Sequence, residues 1–135
     1  MKTFEQSIEV LANKIKASNK EYDCVVGVLR GGAVPAVYLA HALNLPLEMI
    51  NWQTRDGFKK EVKESLLDKK CLFVDDICDS GKTIKELREV YNSIDIAVVY
   101  QRRTVSRADY FGEAIGKDWV VFPWEETKNC VLESA

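Results

Sequence analysis

The spacing of apolar residues along the chain predicts an alternation of helices and strands. Residues 3–18 carry apolar side chains three or four positions apart, from Phe4 to Ile15, which is typical of an amphipathic helix. Short, continuous apolar runs that end in a turn are typical of strands covered on both faces. On these criteria we predict helices over 3–18 and 33–43 and a third that opens at 79–83, with strands over 23–28, 46–51, 71–74 and 94–100 and a short extended segment at 108–111.

Strands that alternate with helices favour a doubly wound, mostly parallel α/β sheet flanked by helices. The length of 135 residues suits one domain, and the sequence has no internal repeat or linker, so we expect a single domain over 1–135. In such sheets, ligands bind outside the carboxyl ends of the strands. The loops that follow the strands at 23–28 and 71–74 are therefore the first places to search for chemistry.

Composition narrows the possible classes of function. The net charge is −2 and the sequence pI is about 5.5, which argues against a nucleic-acid-binding surface. No apolar run approaches the roughly 18 residues of a membrane span, and the first residues lack an apolar signal core, so we expect a cytoplasmic protein without a membrane partner. The four cysteines form no Cys-x-x-Cys pair, and we expect reduced thiols that fill the core.

The stretch 71–83 carries the strongest chemical signal. Two carboxylates, Asp75 and Asp76, end its apolar strand, and the run Asp-Ser-Gly-Lys-Thr at 79–83 then opens a helix. The first backbone N–H groups of a helix have no internal partner and form an anion site, to which serine and threonine hydroxyls add donors. Carboxylates accept hydrogen bonds from hydroxyls and bind divalent cations. Together these groups predict a site for a phosphate next to a diol, as in a sugar phosphate, with a metal ion nearby.

A different interpretation of the same stretch is weaker. Gly81, Lys82 and Thr83 match the end of a nucleotide-triphosphate P-loop, but that loop needs a second glycine five positions earlier, where this chain has Asp76. A carboxylate there would repel the triphosphate that the loop must wrap. The acidic pair thus favours a sugar phosphate over a nucleoside triphosphate.

A second loop has the character of a diphosphate site. Arg30, Gly31 and Gly32 follow the strand at 23–28. The two glycines let the chain turn sharply and present consecutive N–H groups, and the arginine adds a positive charge. Arg-Gly-Gly alone is a weak signal, because an ordinary strand-to-helix turn has the same composition.

With both loops in view, the chain resembles the type I phosphoribosyltransferases, and most of all the short xanthine–guanine and hypoxanthine phosphoribosyltransferases. The stretch 71–83 is similar to their motif for phosphoribosyl diphosphate (PRPP): an apolar strand, two acids, two apolar residues and Asp-Ser/Thr-Gly-x-Thr. Cys78 departs from this motif, because a larger aliphatic residue is usual there. The loop at 30–32 resembles the pyrophosphate loop of the family. The resemblance implies transfer of 5-phosphoribosyl from PRPP to a 6-oxopurine (hypoxanthine, guanine or xanthine), with release of diphosphate and with Mg²⁺ as cofactor.

The resemblance also implies a role for each site residue. Asp79 is implied as the general base near N7 of the purine, and Asp75 and Asp76 as ligands of the ribose hydroxyls and of magnesium. The 5-phosphate is then held by Asp79, Ser80, Gly81, Lys82 and Thr83, and the leaving diphosphate by Arg30, Gly31 and Gly32.

A transferase needs a second pocket for its acceptor base. The run Trp-Val-Val-Phe-Pro-Trp at 119–124 offers aromatic faces on which planar bases stack, although a late core strand has the same pattern. It resembles the purine-capping region of the family, which implies stacking by Trp119 and a backbone contact by Val120 within a small hood segment at about 101–130. Where the family usually has a lysine that donates to the purine 6-oxo group, this chain has Gln101, whose amide can donate or accept. Alternatively, one of the neighbouring arginines, Arg102 or Arg103, takes the role of that lysine.

Several alternatives stay open at this level. The charged stretch 53–70 fits either a surface hairpin or a mobile lid, and it follows Asn51 and Trp52 where the family often has Ser-Tyr. Gln101 leaves room for a phosphoribosyltransferase of another base. A PRPP-binding regulator without transferase activity and an interaction protein on the same fold are further alternatives. A homodimer or higher homo-oligomer is implied by the resemblance alone.

Overall fold

The observed elements follow the predicted alternation of strands and helices. The computed structural model describes residues 3–53, 59–78, 80–91, 93–103 and 108–116. Within these ranges the helices are α1 (Phe4–Ala17), α2 (Ala33–Leu43) and α3 (Lys82–Val90), with a short 3₁₀ helix at Glu64–Leu66. The strands are β1 (Cys24–Leu29), β2 (Leu47–Gln53), β3 (Lys59–Lys60), β4 (Cys71–Cys78), β5 (Asp95–Arg102) and β6 (Tyr110–Ile115). No helix in the described ranges is long and apolar enough to cross a membrane.

The strands form one sheet in the order β3-β2-β1-β4-β5-β6. Every described pairing is parallel except that of the two-residue β3, which runs antiparallel beside β2. α1 and α2 pack on one face of the sheet, and α3 packs on the other. The prediction of a doubly wound, mostly parallel sheet flanked by helices is therefore confirmed.

Side chains of the central strands alternate between two buried layers. In β4, Leu72 packs in the same layer as Leu39 of α2, whereas Phe73 packs in the opposite layer with Leu87 of α3. Burying an apolar side chain of this size contributes about 1.5–3 kcal/mol, so both faces of the sheet gain from a helix cover. This two-sided burial explains why the central strands are continuous apolar runs in the sequence.

β4 is longer than predicted. The prediction ended this strand at Val74, but its parallel pairing with β5 continues to Cys78, which lies opposite Gln101. The strand continues because its last residues are apolar enough to pack beside β5, so the two acids only interrupt the apolar run. Asp75 and Asp76 therefore lie within β4, at its carboxyl end, and not in the loop after it.

The charged stretch that follows β2 forms a hairpin. Trp52 of β2 lies opposite Lys60 of β3 in the antiparallel pairing. Leu66 of the 3₁₀ helix is buried in the core and anchors the end of this stretch. The described part agrees with the hairpin interpretation of 53–70, while residues 54–58 lie outside the described ranges, so the mobile lid stays a prediction.

The segment predicted as a hood belongs to the sheet in its described part. β5 extends to Arg102, and Tyr110–Ile115 form β6 at the edge of the sheet, where Phe111 lies opposite Val98. The remaining residues of this segment, at 104–107 and 117–130, lie outside the described ranges.

Three cysteines are buried free thiols, as predicted: Cys24, Cys71 and Cys78. The sulfur atoms of Cys24 and Cys71 lie 3.5 Å apart across β1 and β4. Burial raises the pKa of the Cys71 thiol to about 12. The thiol is thus protonated at neutral pH and is a weak nucleophile, as expected of core packing. Cys130 lies outside the described residues.

A hydrogen-bonded network stabilises the amino-terminal end of the sheet. The Tyr22 hydroxyl donates to the Asp95 carboxylate at the start of β5 and lies 2.8 Å from the Tyr110 hydroxyl of β6. The Tyr110 hydroxyl in turn donates to Ser18 at the end of α1, at 3.1 Å. Burial, followed by the bond to Asp95, raises the pKa of Tyr22 above its usual range. The network connects β5, β6 and α1 at the end of the sheet opposite the carboxyl ends of the strands.

We expect Tyr22→Phe to reduce the free energy of unfolding by about 1–3 kcal/mol, because the partly buried Asp95 carboxylate loses the phenol donor and keeps the Lys20 ammonium at 3.2 Å. Since the raised pKa favours the protonated phenol in the folded state, this contribution is present below about pH 10 and is lost as the pH rises further. Urea unfolding at neutral pH measures the effect. Tyr38→Phe is the control, because Tyr38 is about half exposed, at 48%. Equal stabilities of the two variants would show that the network contributes nothing.

Candidate functional site

The chain reverses its direction of winding between β1 and β4. α2 connects β1 to its neighbour β2 on one side, and α3 connects β4 to its neighbour β5 on the other side. β1 and β4 are parallel neighbours, in register from Cys24↔Cys71 to Gly27↔Val74. Their carboxyl ends therefore lie side by side at the point where open α/β sheets bind ligands.

The loop after β1 and the acids of β4 are in direct contact. A Cβ atom added to Gly31 would collide with the carboxyl group of Asp76 and would lie only 2.7 Å from its Oδ1 atom. A glycine therefore leaves the room that this carboxylate occupies against the loop. Two motifs that are 45 positions apart, at 31 and 76, thus form one surface.

Gly32 packs the same loop onto the strands beneath it. Its N–H donates to the Val28 carbonyl at 2.8 Å. A Cβ atom here would lie 2.7 Å from that carbonyl oxygen and would collide with the Val74 carbonyl. Arg30, two residues before Gly32, is exposed, and the peptide bond between Leu29 and Arg30 is cis. The loop thus combines a close backbone approach with an accessible guanidinium group.

Backbone amides orient the two carboxylates of β4. The Asp75 Oδ1 atom accepts the N–H of Asp76, and the Asp76 Oδ1 atom accepts the N–H of Ile77, each at 2.8 Å. Both residues are partly buried. Burial, followed by the negative charge of Asp76, raises the pKa of Asp75 well above its usual range. A cation or a set of hydroxyl donors at this point would favour the charged form of both groups.

The start of α3 presents unpaired amides. Gly81 adopts the left-handed conformation, with φ of 81°, and its carbonyl accepts the first helical bond, from Lys85, at 3.0 Å. The Ser80 hydroxyl accepts the N–H of Lys82 at 3.3 Å. The N–H groups of Thr83 and Ile84 have no acceptor within the described ranges. Free amides at the positive end of a helix dipole are suited to an anion such as a phosphate.

Residues 1–129 match the phosphoribosyl transferase domain family. The chain belongs to this family. Among its curated relatives, the xanthine-guanine phosphoribosyltransferase of Cereibacter sphaeroides is 31% identical over 119 residues, which cover 79% of this chain and 71% of that protein.

Solved structures of phosphoribosyltransferases share the fold. The purine phosphoribosyltransferase from Pyrococcus horikoshii has a TM-score of 0.72 and 33% identity, and the match covers 91% of this chain and 89% of that one. The Helicobacter pylori xanthine-guanine-hypoxanthine phosphoribosyltransferase has a TM-score of 0.70 at 23% identity, over 98% and 93% of the two chains, which bears on the fold alone. The predicted family is confirmed, and the chain is an enzyme of the phosphoribosyltransferase class.

The acidic pair of this phosphoribosyltransferase fits the Mg²⁺ ion that the resemblance implies. Asp75 and Asp76 provide carboxylate oxygens, which are the hard ligands that magnesium prefers. Within the described ranges, no group of three or more His, Cys, Asp or Glu side chains lies close enough together to hold a metal. The remaining ligands would therefore be substrate oxygens and water, as is usual for magnesium bound with a phosphorylated substrate.

Gln101 lies at the end of β5, opposite Cys78 of β4. Its side chain is buried, with 4% exposed, and its Oε1 atom accepts the N–H of Ala108 at 3.1 Å. The side-chain oxygen is thus used by the backbone of this chain. The amide nitrogen of Gln101 can only donate.

The structure brings the loop at 30–32 against Asp76, and the helix start at 80–83 follows the end of β4 by a few residues. The other predicted site residues, Asp79, Trp119 and Val120, lie outside the described residues, so their roles stay predictions.

Sequence reasoning missed Glu86 of α3, which lies four residues after Lys82 at the helix start. Its carboxylate accepts hydrogen bonds from Trp52 and Lys60 of the hairpin, which are 34 and 26 positions away in the chain. In the sequence, Glu86 is one of several charged residues on the polar side of a helix, and no local pattern distinguishes it from the others.

We expect Gly31→Ala to weaken the binding of PRPP with Mg²⁺ by about tenfold or more, because the added methyl group must displace the Asp76 carboxylate. Isothermal titration with PRPP and Mg²⁺ measures the affinity, and urea unfolding checks that the fold survives. Gly116→Ala is a matched control, since a Cβ atom there has nothing within 4 Å. Unchanged PRPP affinity in Gly31→Ala would show that the contact between the two motifs does not shape the site.

Proposed function

We propose that this phosphoribosyltransferase moves the 5-phosphoribosyl group of PRPP onto a ring nitrogen of a 6-oxopurine and releases diphosphate. The contact between Asp76 and Gly31 carries the proposal, because it sets acids suited to a ribose diol beside a loop suited to a diphosphate. The relatives from Cereibacter sphaeroides and Pyrococcus horikoshii, whose names specify xanthine-guanine and purine, support a purine as the acceptor.

In this proposal, PRPP is held at three parts of the molecule. The 5-phosphate binds at residues 79–83, where the first backbone amides of α3 and the hydroxyls of Ser80 and Thr83 donate to it. The ribose hydroxyls bind Asp75 and Asp76. The diphosphate binds the loop at 30–32 through backbone N–H groups and the Arg30 guanidinium. Bound Mg²⁺ would neutralise part of the negative charge of the diphosphate.

The transfer breaks the bond between ribose C1 and the diphosphate oxygen and forms a bond from C1 to the base nitrogen. Negative charge grows on the diphosphate, where Arg30 and the loop amides stabilise it. Positive charge grows on the ribosyl group, next to the carboxylates of Asp75 and Asp76. Asp79 takes the proton that the purine loses from N7, as a general base.

The acceptor base would contact three residues of the proposed pocket. Trp119 would stack on the purine, and the backbone of Val120 would meet its edge. Gln101 would donate through its amide nitrogen to the purine 6-oxo group, since its oxygen already accepts the N–H of Ala108. A donor at this position favours an oxo group over an amino group, which supports a 6-oxopurine.

Two further properties stay proposals. A homodimer or higher homo-oligomer is expected, and light scattering of the purified protein measures its mass in solution. A PRPP-binding regulator without transferase activity is the second candidate function, because Gln101 stands where the family usually has a lysine that contacts the purine.

A panel of bases tests the function directly. We expect diphosphate release from PRPP and Mg²⁺ with at least one of hypoxanthine, guanine and xanthine, and none with uracil or orotate. Titration of the protein with PRPP provides the control for binding. PRPP binding without release for any base would make the protein a regulator, and release with a pyrimidine alone would overturn the purine assignment.

We expect Asp79→Asn to lower kcat by about 10²- to 10⁴-fold, the usual range for loss of a general base, while the affinity for PRPP changes little. Steady-state kinetics and PRPP titration separate the two quantities. Asp68→Asn, at an exposed position in the loop before β4, is the matched control. Equal losses in kcat and PRPP affinity would mean that Asp79 only shapes the phosphate loop.

A further inference from the structure

The hairpin and the phosphate-binding helix share one carboxylate, that of Glu86. Its Oε1 atom accepts the indole N–H of Trp52 at 3.4 Å, and its Oε2 atom accepts from the Lys60 ammonium at 2.9 Å. Trp52 and Lys60 lie directly opposite each other in the pairing of β2 with β3. Residues opposite each other in an antiparallel pair present their side chains to the same face. One carboxylate thus joins both strands of the hairpin to α3.

The other described attachments of this hairpin do not replace that of Glu86. β3 has two residues, and so short a pairing is marginal by itself. The N–H of Glu61 donates to the Asn51 carbonyl at 2.8 Å and the Glu61 carboxylate accepts the Asn51 N–H at 3.1 Å, so both bonds join the hairpin to itself. The ion pair of Lys63 with Glu48, at 3.6 Å, also joins this segment to β2, and Leu66 anchors its end in the core. The N–H of Lys63 donates to the hydroxyl of Tyr91 at 3.0 Å, beyond the end of α3. Within the described ranges, Glu86 therefore carries the attachment of β3 to the body of α3.

Both ends of this link adjoin groups that the proposed function uses. Asn51, next to Trp52, pairs with Leu29, which directly precedes Arg30 of the diphosphate loop. Lys82, at the start of α3, lies four residues before Glu86, which is about 6 Å along the helix axis. A link from Trp52 to Glu86 thus connects the surroundings of the diphosphate loop with the phosphate-binding end of α3.

The charge and the burial of these groups suit a fixed link. The Lys60 ammonium lowers the pKa of Glu86, so the carboxylate is charged at neutral pH and can accept two donors. Trp52 is buried, with 5% of its surface exposed, so one end of the link is held in the core. The Lys60 and Glu86 side chains are 35% and 20% exposed, and ion pairs of this kind add little to folding stability. We therefore expect the link to affect the relative position of the hairpin and α3 more than the free energy of unfolding.

We propose that Glu86 is a positioning residue for PRPP: it ties both strands of the β2–β3 hairpin to α3 and so fixes the distance between the diphosphate loop and the phosphate-binding helix start. This role rests on the proposed function. Because Glu86 would position groups that bind PRPP and would not contact the base, its loss should weaken PRPP binding. The KM for the base and the rate of the chemical step should change little.

Four variants test the role. Glu86→Gln keeps the size of the side chain and one acceptor oxygen but loses the charge and the second acceptor. Lys60→Met removes one donor, and the double variant combines the two changes. Glu89→Gln makes the same change of charge at an exposed position of the same helix and is the control. The measurements are PRPP affinity by titration with Mg²⁺, KM for PRPP and for the base, kcat, and hydrogen exchange of residues 59–66 without ligand.

In Glu86→Gln we expect the Kd and KM for PRPP to rise by about fivefold to tenfold, the scale of one lost charge-assisted hydrogen bond. The KM for the base and kcat should stay within about twofold, and the amides of residues 59–66 should exchange faster. The double variant should bind PRPP no more weakly than Glu86→Gln, because both changes remove the same interaction. Glu89→Gln should match the unsubstituted protein in every measurement.

The positioning role is overturned if Glu86→Gln binds PRPP as tightly as the unsubstituted protein. It is also overturned if kcat falls, the KM values for PRPP and for the base both rise, and the free energy of unfolding falls with them. Loss of a purely structural contact would produce this pattern. If the unsubstituted protein and Glu89→Gln both fail to bind PRPP, the proposed function fails and the role of Glu86 fails with it. That outcome is distinct from the first two, in which the unsubstituted protein binds PRPP.

Discussion

The candidate site depends on one close approach, that of the Asp76 carboxyl group to Gly31. The approach requires β1 and β4 to be parallel neighbours in register, and it requires a residue without a Cβ atom in the loop after β1. Both requirements follow from a sheet that is wound in two directions from its centre. α2 and α3 leave β1 and β4 on opposite faces of the sheet, so the carboxyl ends of these two strands stay uncovered and close together.

The same approach concentrates negative charge in a partly buried place. Burial and the charge of Asp76 raise the pKa of Asp75. A bound cation or a set of hydroxyl donors would therefore stabilise the charged form of the pair. The loop with Arg30 and the amide end of α3 are instead suited to an anion. A ligand with a diol between two phosphate-bearing ends would offer hydroxyl donors to the acids and anionic groups to the loop and the helix start. This complementarity is the physical reason for the proposal that the site binds PRPP.

Periodicity predicted most of the fold, and the errors have identifiable causes. The central strands could be predicted because burial on both faces makes them continuous apolar runs. The helices could be predicted because burial on one face spaces their apolar residues three or four positions apart. The end of β4 was placed too early, because two acids interrupted an apolar pattern while the pairing with β5 continued. β3 consists of two lysines, so no apolar signal marked it as a strand, and Tyr110–Ile115 was predicted only as a short extended segment.

The sequence by itself determined which local elements form and which residue types stand at their ends, including the Arg-Gly-Gly loop, the acidic pair and the hydroxyl-rich start of α3. These features follow from spacing over a few residues, where backbone sterics and the burial period act directly. Only the tertiary structure decided that Gly31 and Asp76 touch, that Ala108 uses the oxygen of Gln101, and that Glu86 joins Trp52 and Lys60 to α3. Contacts between residues so far apart in the chain depend on strand order and register, which no short stretch of sequence contains.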